Sequence, residues 1–392
     1  MSELDALRGN WNYPTSVRFG VGRVVELADA CKTLGMTNPL LVTDKALASL
    51  PMVADAVKSV KAAGLGCTVF ADVQSNPVGA NVDAGVAAYK AGGHDGVIAF
   101  GGGSGLDTAK AVALMVGQTR PIFDFEDRED WWTRVNVEGM APVVAVPTTS
   151  GTGSEVGRAS VITDESDHTK KIIFHPKMQP AIVIADPQLT EGLPANITAW
   201  VGMDALSHNL EAFCSPFYHP MAQGIALEGM RLIKEWLPVA AKDGKNLVAR
   251  SQMMVASSMG ATAFQKGLGA MHALSHPCGA VFNTHHGLTN AVVMPYVLLF
   301  NRSAVEERLT ALARYLDLPN PSFDAVLDWV LALREELGIP NTLAELGVQL
   351  QHVGELAPMA ALDPSCGGNP IVLDEETLAG LYRQAITGEL NR

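Results

Sequence analysis

In the first half of the chain, short apolar runs alternate with longer stretches in which apolar positions return every three or four residues. The runs lie in "NPLLVTDKAL", "GCTVFADV", "HDGVIAFGGG", "APVVAVPTTS" and "PAIVIADP", and each ends in Gly, Asp, Pro or Thr. Such runs read as strands buried on both faces, and stretches between them, such as residues 52–63 and 82–91, read as helices. Strand–helix alternation predicts a parallel sheet covered on both sides. Sheets of this kind bind ligands at the carboxyl ends of their strands. After about Pro187 the texture changes. "ALEGMRLIKEWLPVAAK" and "DAVLDWVLALREELG" carry helical periodicity, and turns such as "LGIPNT" punctuate them. The expected organisation is an α/β domain over 1–186 and an all-α domain over 187–392.

Composition narrows the class. Of 392 residues, 48% are hydrophobic, which suits large buried cores. No apolar run is long enough to cross a bilayer, and no basic-then-apolar leader is read at the start. Five scattered cysteines do not form a disulfide framework and point to a reducing cytoplasm. A net charge of −13 without a basic cluster argues against nucleic acid and anionic membrane as partners.

Two loops carry the first candidate chemistry. "GVIAFGGGSGLDTAK" reads as a buried strand, a turn at Gly101, Gly102, Gly103 and Ser104, then a helix bearing Asp107 and Lys110. Glycines let a backbone approach a phosphate, and the N–H groups opening the helix attract its charge. The loop is neither a Walker loop nor G-x-G-x-x-G, since Leu106 stands where the last glycine would be. A second loop, "PTTSGTGSEVG", follows another strand and offers hydroxyls at Thr148, Thr149 and Thr152. Two such loops at neighbouring strand ends suit a dinucleotide. Asp44, closing "LLVTD", is placed either to bind a ribose 2′-hydroxyl or to cap the helix that follows.

The densest chemistry is "GAMHALSHPCGAVFNTHHG", which holds His272, His276, His285 and His286. His272 and His276, four apart, share a helix face, and upstream "GMDALSHNLEAF" sets Asp204 and His208 at the same spacing. Asp204, His208, His272, His276 and His286 are five candidate ligands. One carboxylate with several imidazoles suits Fe(II) or Zn(II) better than Mg(II) or Ca(II). His94, His168, His175, His219, His352 and His285 are read as ordinary core or surface histidines.

In this order and separation, "GGGSGLDTAK", "PTTSGTGSEV", "DALSHNLEAF" and "HALSHPCGAVFNTHHG" resemble the iron-containing (group III) alcohol dehydrogenases. That family includes lactaldehyde reductases, 1,3-propanediol dehydrogenases and bacterial butanol and methanol dehydrogenases. The similarity runs from "FGVGRV" to "LYRQAI". It implies a Rossmann-like, NAD-binding first domain and a helical metal domain that assemble as a homodimer or higher homo-oligomer. It also implies that Asp204, His208, His272 and His286 bind the metal, while His276 lines the substrate pocket and relays a proton. Asp44 would then favour NAD over NADP, and Gly102, Gly103 and Ser104, with Asp107 in the same helix, would form the pyrophosphate loop. Thr148, Thr149, Thr152 and Lys170 would add cofactor contacts.

Three departures stand out. The segment before His272 is one residue short and puts Lys266 near the expected pocket. Ile371 stands where arginine is common, and residues 125–136, with Trp131 and Trp132, match nothing in the family pattern. Lys266 raises the question of an anionic substrate, the plainer reading being a solvated loop lysine. The implied activity is hydride transfer between a small primary alcohol, or its aldehyde, and NAD. The alternatives are a hydroxyacid–oxoacid transhydrogenase and a lyase like dehydroquinate synthase that uses NAD catalytically.

Overall fold

A computed structural model describes residues 15–392 except 168, so His168 lies outside the described residues. The chain divides into two units that part between Gly192 and Leu193.

The first unit is built on a six-stranded sheet of β1 (Ser16–Phe19), β2 (Leu40–Val42), β3 (Thr68–Phe70), β4 (Val97–Gly101), β5 (Val143–Pro147) and β8 (Ile182–Ala185). All neighbours are parallel, in the order β1-β8-β5-β4-β2-β3. Its helices are α1 (Leu27–Thr33), α2 (Lys45–Ala48), α3 (Pro51–Ala62), α4 (Gly79–Ala91) and α5 (Gly103–Met115). Ile98, Phe100, Val144 and Val146 pack on Leu27, Val53 and Val60 on one face, as alternation along each strand requires. On the other face α5 is buried from Gly105 to Met115, so this helix belongs to the core on every side.

Five of the six strands coincide with the apolar runs of the sequence. β1 does not, because it is an edge strand whose Val17 and Phe19 stay exposed and whose Arg18 pairs with Asp29. An antiparallel hairpin of β6 (Ala159–Asp164) and β7 (Thr169–Phe174) was also not read from the sequence; only alternate residues of β6 are buried. The unmatched segment 125–136 lies along this hairpin, where Glu126 bridges Ile173. There the Arg134 guanidinium sits 4.0 Å over the Trp131 ring.

The chain leaves β2 for β3 on one side and re-enters the sheet at β4 on the other. That reversal opens a crevice at the carboxyl ends of β2 and β4, the place where open α/β sheets bind ligands. Gly101 pairs with Pro147, and Thr148 N–H donates to Gly101 O at 2.9 Å, so the two candidate loops start side by side.

The second unit is helical: α6 (Ala195–Cys214), α7 (Pro220–Lys242), α8 (Leu247–Ala263), α9 (Ala270–Phe282), α10 (His286–Tyr315), α11 (Phe323–Glu336), α12 (Val353–Ala361) and α13 (Glu375–Thr387). One apolar cluster, including Met203, Leu206, Met230, Ile233, Leu274 and Val293, joins them. α6, α9 and the first turns of α10 are buried nearly all round. The polar side chains they carry inward therefore need partners.

Candidate metal centre and cofactor loops

Two of the three glycine positions of the first loop are fixed by contact. A Cβ on Gly103 would lie 2.7 Å from Thr152 Oγ1, and one on Gly102 would lie 3.1 Å from Thr149 Cγ2. The two loops thus close on each other only because these residues lack side chains. α5 begins at Gly103 with Gly102 as its N-cap and no capping side chain, so the first-turn N–H groups remain available to an anion. A backbone cradle with a helix N-terminus behind it fits a pyrophosphate.

The other cofactor candidates are held as follows. Ser104 Oγ donates to Ser75 O. Thr148 is buried, whereas Thr149 and Thr152 are partly exposed. Asp107 is buried behind the loops; its carboxylate accepts from Ser154 Oγ and Val161 N–H and pairs with Lys110. Lys110 itself donates to Ser154 O and Ala159 O, so this buried pair ties α5 to the second loop. Asp44 caps α2, its Oδ1 accepting from Leu47 N–H at 2.8 Å. Lys170 sits in β7 opposite Thr163.

In the helical unit, Asp204, His208, His272 and His286 each present one ligand atom, and these atoms all lie within 4.8 Å of one another. Nitrogen and oxygen donors about 2.0–2.2 Å from one ion stand about 3–4 Å apart, so a set within 4.8 Å needs only a small inward shift to hold a first-row divalent cation. Asp204 and His208 come from adjacent turns of α6. His272 enters from α9, and its ring stacks on His208 with centroids 4.8 Å apart. After Phe282, Asn283 takes the left-handed conformation (φ 53°) and ends α9. Three residues later α10 starts, which brings His286 Nε2 to 3.5 Å from Asp204 Oδ1. The return is possible because Gly287 lies against α6, where a Cβ would meet Trp200 O at 2.3 Å.

Carboxylates stand behind two of the imidazoles. Glu211 Oε2 accepts from His272 Nδ1 at 2.6 Å, and its Oε1 accepts from Met271 N–H at 2.7 Å. Burial alone would lower the pKa of His272, but Glu211 holds it above the usual imidazole value. With its proton on Nδ1, His272 offers Nε2 as the ligand atom. His276 lies outside the ligand set. Its ring stacks on His286 at 5.2 Å, and its Nδ1 donates to Asp363 Oδ2 at 2.7 Å. Burial would raise the Asp363 pKa, but His276 beside it holds the carboxyl below its ordinary value.

Sequence reasoning missed Glu211, Asp363 and Asn290. Glu211 had a signal, three residues after His208 on the same helix. So did Asn290, one turn after His286. Asp363 had none, since 87 residues separate it from His276.

The remaining described histidines make ordinary bonds. His94 bridges Asn38 O and Thr68 Oγ1, while His175, His219 and His285 accept from backbone N–H groups at element starts. His352 Nδ1 accepts from Gln349 N–H.

Lys266 is not the solvated loop lysine of the plainer reading. It is 2% exposed, and its Nζ donates to Phe213 O at 3.2 Å and Ser215 O at 2.7 Å, at the end of α6. Arg308 reaches the same two carbonyls and that of Cys214, and supplies the charge that a helix C-terminus favours. Burial, then the Arg308 charge, push the Lys266 pKa down to about 7. A neutral amine still has two protons for its two carbonyl acceptors.

Between pH ~7 and the unfolded lysine value near 10.4, the unfolded chain holds a proton that the folded chain has released. This residue therefore makes stability rise with pH across that window, by at most about 1.4 kcal/mol per pH unit, and adds no slope below it. Denaturant midpoints of wild type and Lys266→Met, compared from pH 7 to 10, should diverge with this sign; parallel curves would count against it.

The chain matches the model described as "Iron-containing alcohol dehydrogenase" over residues 14–187. It also matches the family's C-terminal model over residues 198–386. It is 38% identical to a 4-hydroxybutyrate dehydrogenase of Cupriavidus necator, covering 95% of this chain and 98% of that one. It is 34% identical to the NAD-dependent methanol dehydrogenase of Bacillus methanolicus, covering 96% and 100%. A crystal structure of a 1,3-propanediol oxidoreductase superposes with a TM-score of 0.91 at 32% identity, covering 96% and 100%. Two family models that together span most of the chain, and a buried Asp–His cluster on the helices that the second one matches, lead to one conclusion: the chain belongs to the iron-containing alcohol dehydrogenase family and is an oxidoreductase.

Proposed function

We propose that the protein oxidises small primary alcohols, or reduces their aldehydes, with NAD bound to the sheet unit and a divalent metal ion, Fe(II) or in its place Zn(II), held by Asp204, His208, His272 and His286. The observation that carries this reading is the convergence of four ligand atoms within 4.8 Å, with a fourth imidazole, His276, stacked beside them. The bound ion supplies Lewis-acid stabilisation of negative charge on an alcohol oxygen, and the nicotinamide accepts the hydride. What the chain contributes follows from its own groups. His276, with Nδ1 committed to Asp363, has Nε2 left to accept the alcohol proton. The Gly102–Gly103 turn and the α5 N-terminus receive the pyrophosphate, flanked by Ser104, Thr148, Thr149 and Thr152. Asp107 fixes the second loop behind them, and Lys170 contacts the cofactor ribose.

Asp44 follows the strand at the sheet's reversal point, where its carboxylate accepts from a ribose 2′-hydroxyl and repels a 2′-phosphate. We further read the enzyme as a cytoplasmic homo-oligomer. The compartment is supported by five cysteines of which none forms a disulfide among the described residues, and the assembly by exposed Val17 and Phe19 on edge strand β1. Among the described residues, no helix is long and apolar enough to cross a membrane.

Assays of NADH and NADPH formation on short primary alcohols, diols and hydroxy acids test the reading. NADH formation should dominate. Asp44→Ser keeps a capping oxygen for α2 and removes the charge, so it should raise kcat/KM for NADP about tenfold, for a repulsion on the order of 1–2 kcal/mol. Net NADH from none of these substrates, with exchange between substrate pairs instead, would favour the transhydrogenase.

A further inference from the structure

Asn290 lies one turn beyond His286 on α10 and is fully buried. Its Nδ2 donates to Asp204 Oδ1 at 2.9 Å and stands 3.2 Å from His286 Nε2 and 3.4 Å from His272 Nε2. One amide nitrogen therefore touches three of the four ligand atoms. Its other end does the opposite: Asn290 Oδ1 is buried with no hydrogen-bond partner among the described residues. A carboxamide kept only to fill space or join helices would have both ends satisfied, because a buried carbonyl oxygen left unpaired costs the folded chain free energy. Here the oxygen is forgone so that the N–H groups face the ligands.

Donation also fixes the form of the rings. An N–H can be donated only to a ring nitrogen that keeps its lone pair, so these contacts select, for His272 and His286, the tautomer with Nε2 as electron-pair donor. Glu211 selects the same tautomer of His272 from the far side by accepting its Nδ1–H. The second amide proton is shared between the two imidazoles, while the first holds the Asp204 carboxylate.

We propose that Asn290 is a positioning residue of the metal centre: in the metal-free site its amide holds Asp204, His272 and His286 in the register and tautomer that an ion needs, the single Nε2 lone pair of each ring passing from the amide to the ion on binding while the bond to Asp204 Oδ1 stays. This rests on the reading that these residues hold a metal. Removing such a partner of the ligands typically costs about 10–100-fold in metal affinity.

The test uses the full chain stripped of metal and titrated with Co(II), read by its d–d absorption and by chelator competition, beside thermal melting of the metal-free protein. Asn290→Ala should bind Co(II) about 10–100-fold more weakly with a shifted d–d band, while the metal-free protein melts no lower than wild type. Asn290→Asp, which keeps the shape but has no N–H to donate when ionised, covers the case in which the alanine variant fails to fold. It should lose affinity and shift the band as well.

Unchanged affinity and band in either folded variant would overturn the proposal. So would a fall in metal-free melting with affinity retained, since that marks a purely structural residue. Tighter binding by Asn290→Asp would overturn it too, by making position 290 an anionic ligand site rather than a donor. If wild type itself takes up no Co(II), the metal reading falls and this proposal with it. If wild type binds and Asn290→Ala binds equally, only the role of Asn290 falls.

Discussion

Alanine at His208 is expected to lower kcat/KM for a primary alcohol by about three orders of magnitude or more. Charge stabilisation by a metal is worth several kcal/mol in the transition state, and each 1.36 kcal/mol is tenfold in rate. His208 is the cleanest of the four positions to remove. Its ring stacks on His272 and meets the edge of Phe264, with centroids 4.8 and 5.1 Å away. Its loss leaves the Glu211–His272 hydrogen bond in place. Truncating His272 instead would strand a buried carboxylate and confuse lost chemistry with lost stability. The variant should therefore keep its fold by circular dichroism, lose bound metal in elemental analysis, and still bind NADH by fluorescence. Activity within tenfold of wild type would remove His208 from the metal site.

Gly287→Ala should damage the same site through the backbone. A Cβ there would lie 2.3 Å from Trp200 O and 2.9 Å from Asp204 Cβ. A helix carbonyl cannot swing aside as a flexible side chain can, so the first turn of α10 has to move off α6. That shift carries His286 and Asn290 away from Asp204. Overpacking of this kind costs about 1–3 kcal/mol in stability, and a misplacement of about 1 Å in a reacting constellation costs about 100-fold in rate. The expected variant is folded but less stable, with weaker metal retention and about 100-fold lower activity. A variant that binds metal like wild type would mean that the two helices yield without disturbing the ligands.

These two residues mark how far the sequence could be read. The parallel sheet was legible because β2, β3, β4, β5 and β8 are short runs ended by turn residues. Asp204 with His208 was legible because one helical turn separates them. Spacing could not say which histidines of 269–287 gather: His272 and His276 obey the same rule, yet only His272 stands in the cluster, while His276 sits beside it on Asp363. Separating the two depended on the family resemblance. Nothing in the sequence singles out Gly287, because a close approach of two helices leaves no mark in the pattern of one of them. Lys266 misled for a related reason. A lysine followed closely by two glycines looks exposed, but the carbonyls that bury it end a helix more than fifty residues upstream.

The edge strand β1 and the β6–β7 hairpin escaped for yet another reason, since both are half solvated and lack a continuous apolar run. Asp107 shows how a motif residue can act at one remove. It sits in the glycine-loop helix, yet its carboxylate faces the second loop and Lys110, so it shapes the cradle from behind. Glu211 stands to His272, and Asp363 to His276, in the same relation.

The most direct test of the account couples metal to turnover. The protein would be purified without oxygen, stripped with a chelator, and assayed for NADH formation on short primary alcohols before and after restoring Fe(II) or Zn(II). The account predicts no NADH from the stripped protein and recovery with about one equivalent of metal, recovery that His208→Ala does not share. Undiminished NADH formation by the stripped protein, or equal recovery by His208→Ala, would contradict the assignment of the Asp204, His208, His272 and His286 cluster as the centre of the chemistry.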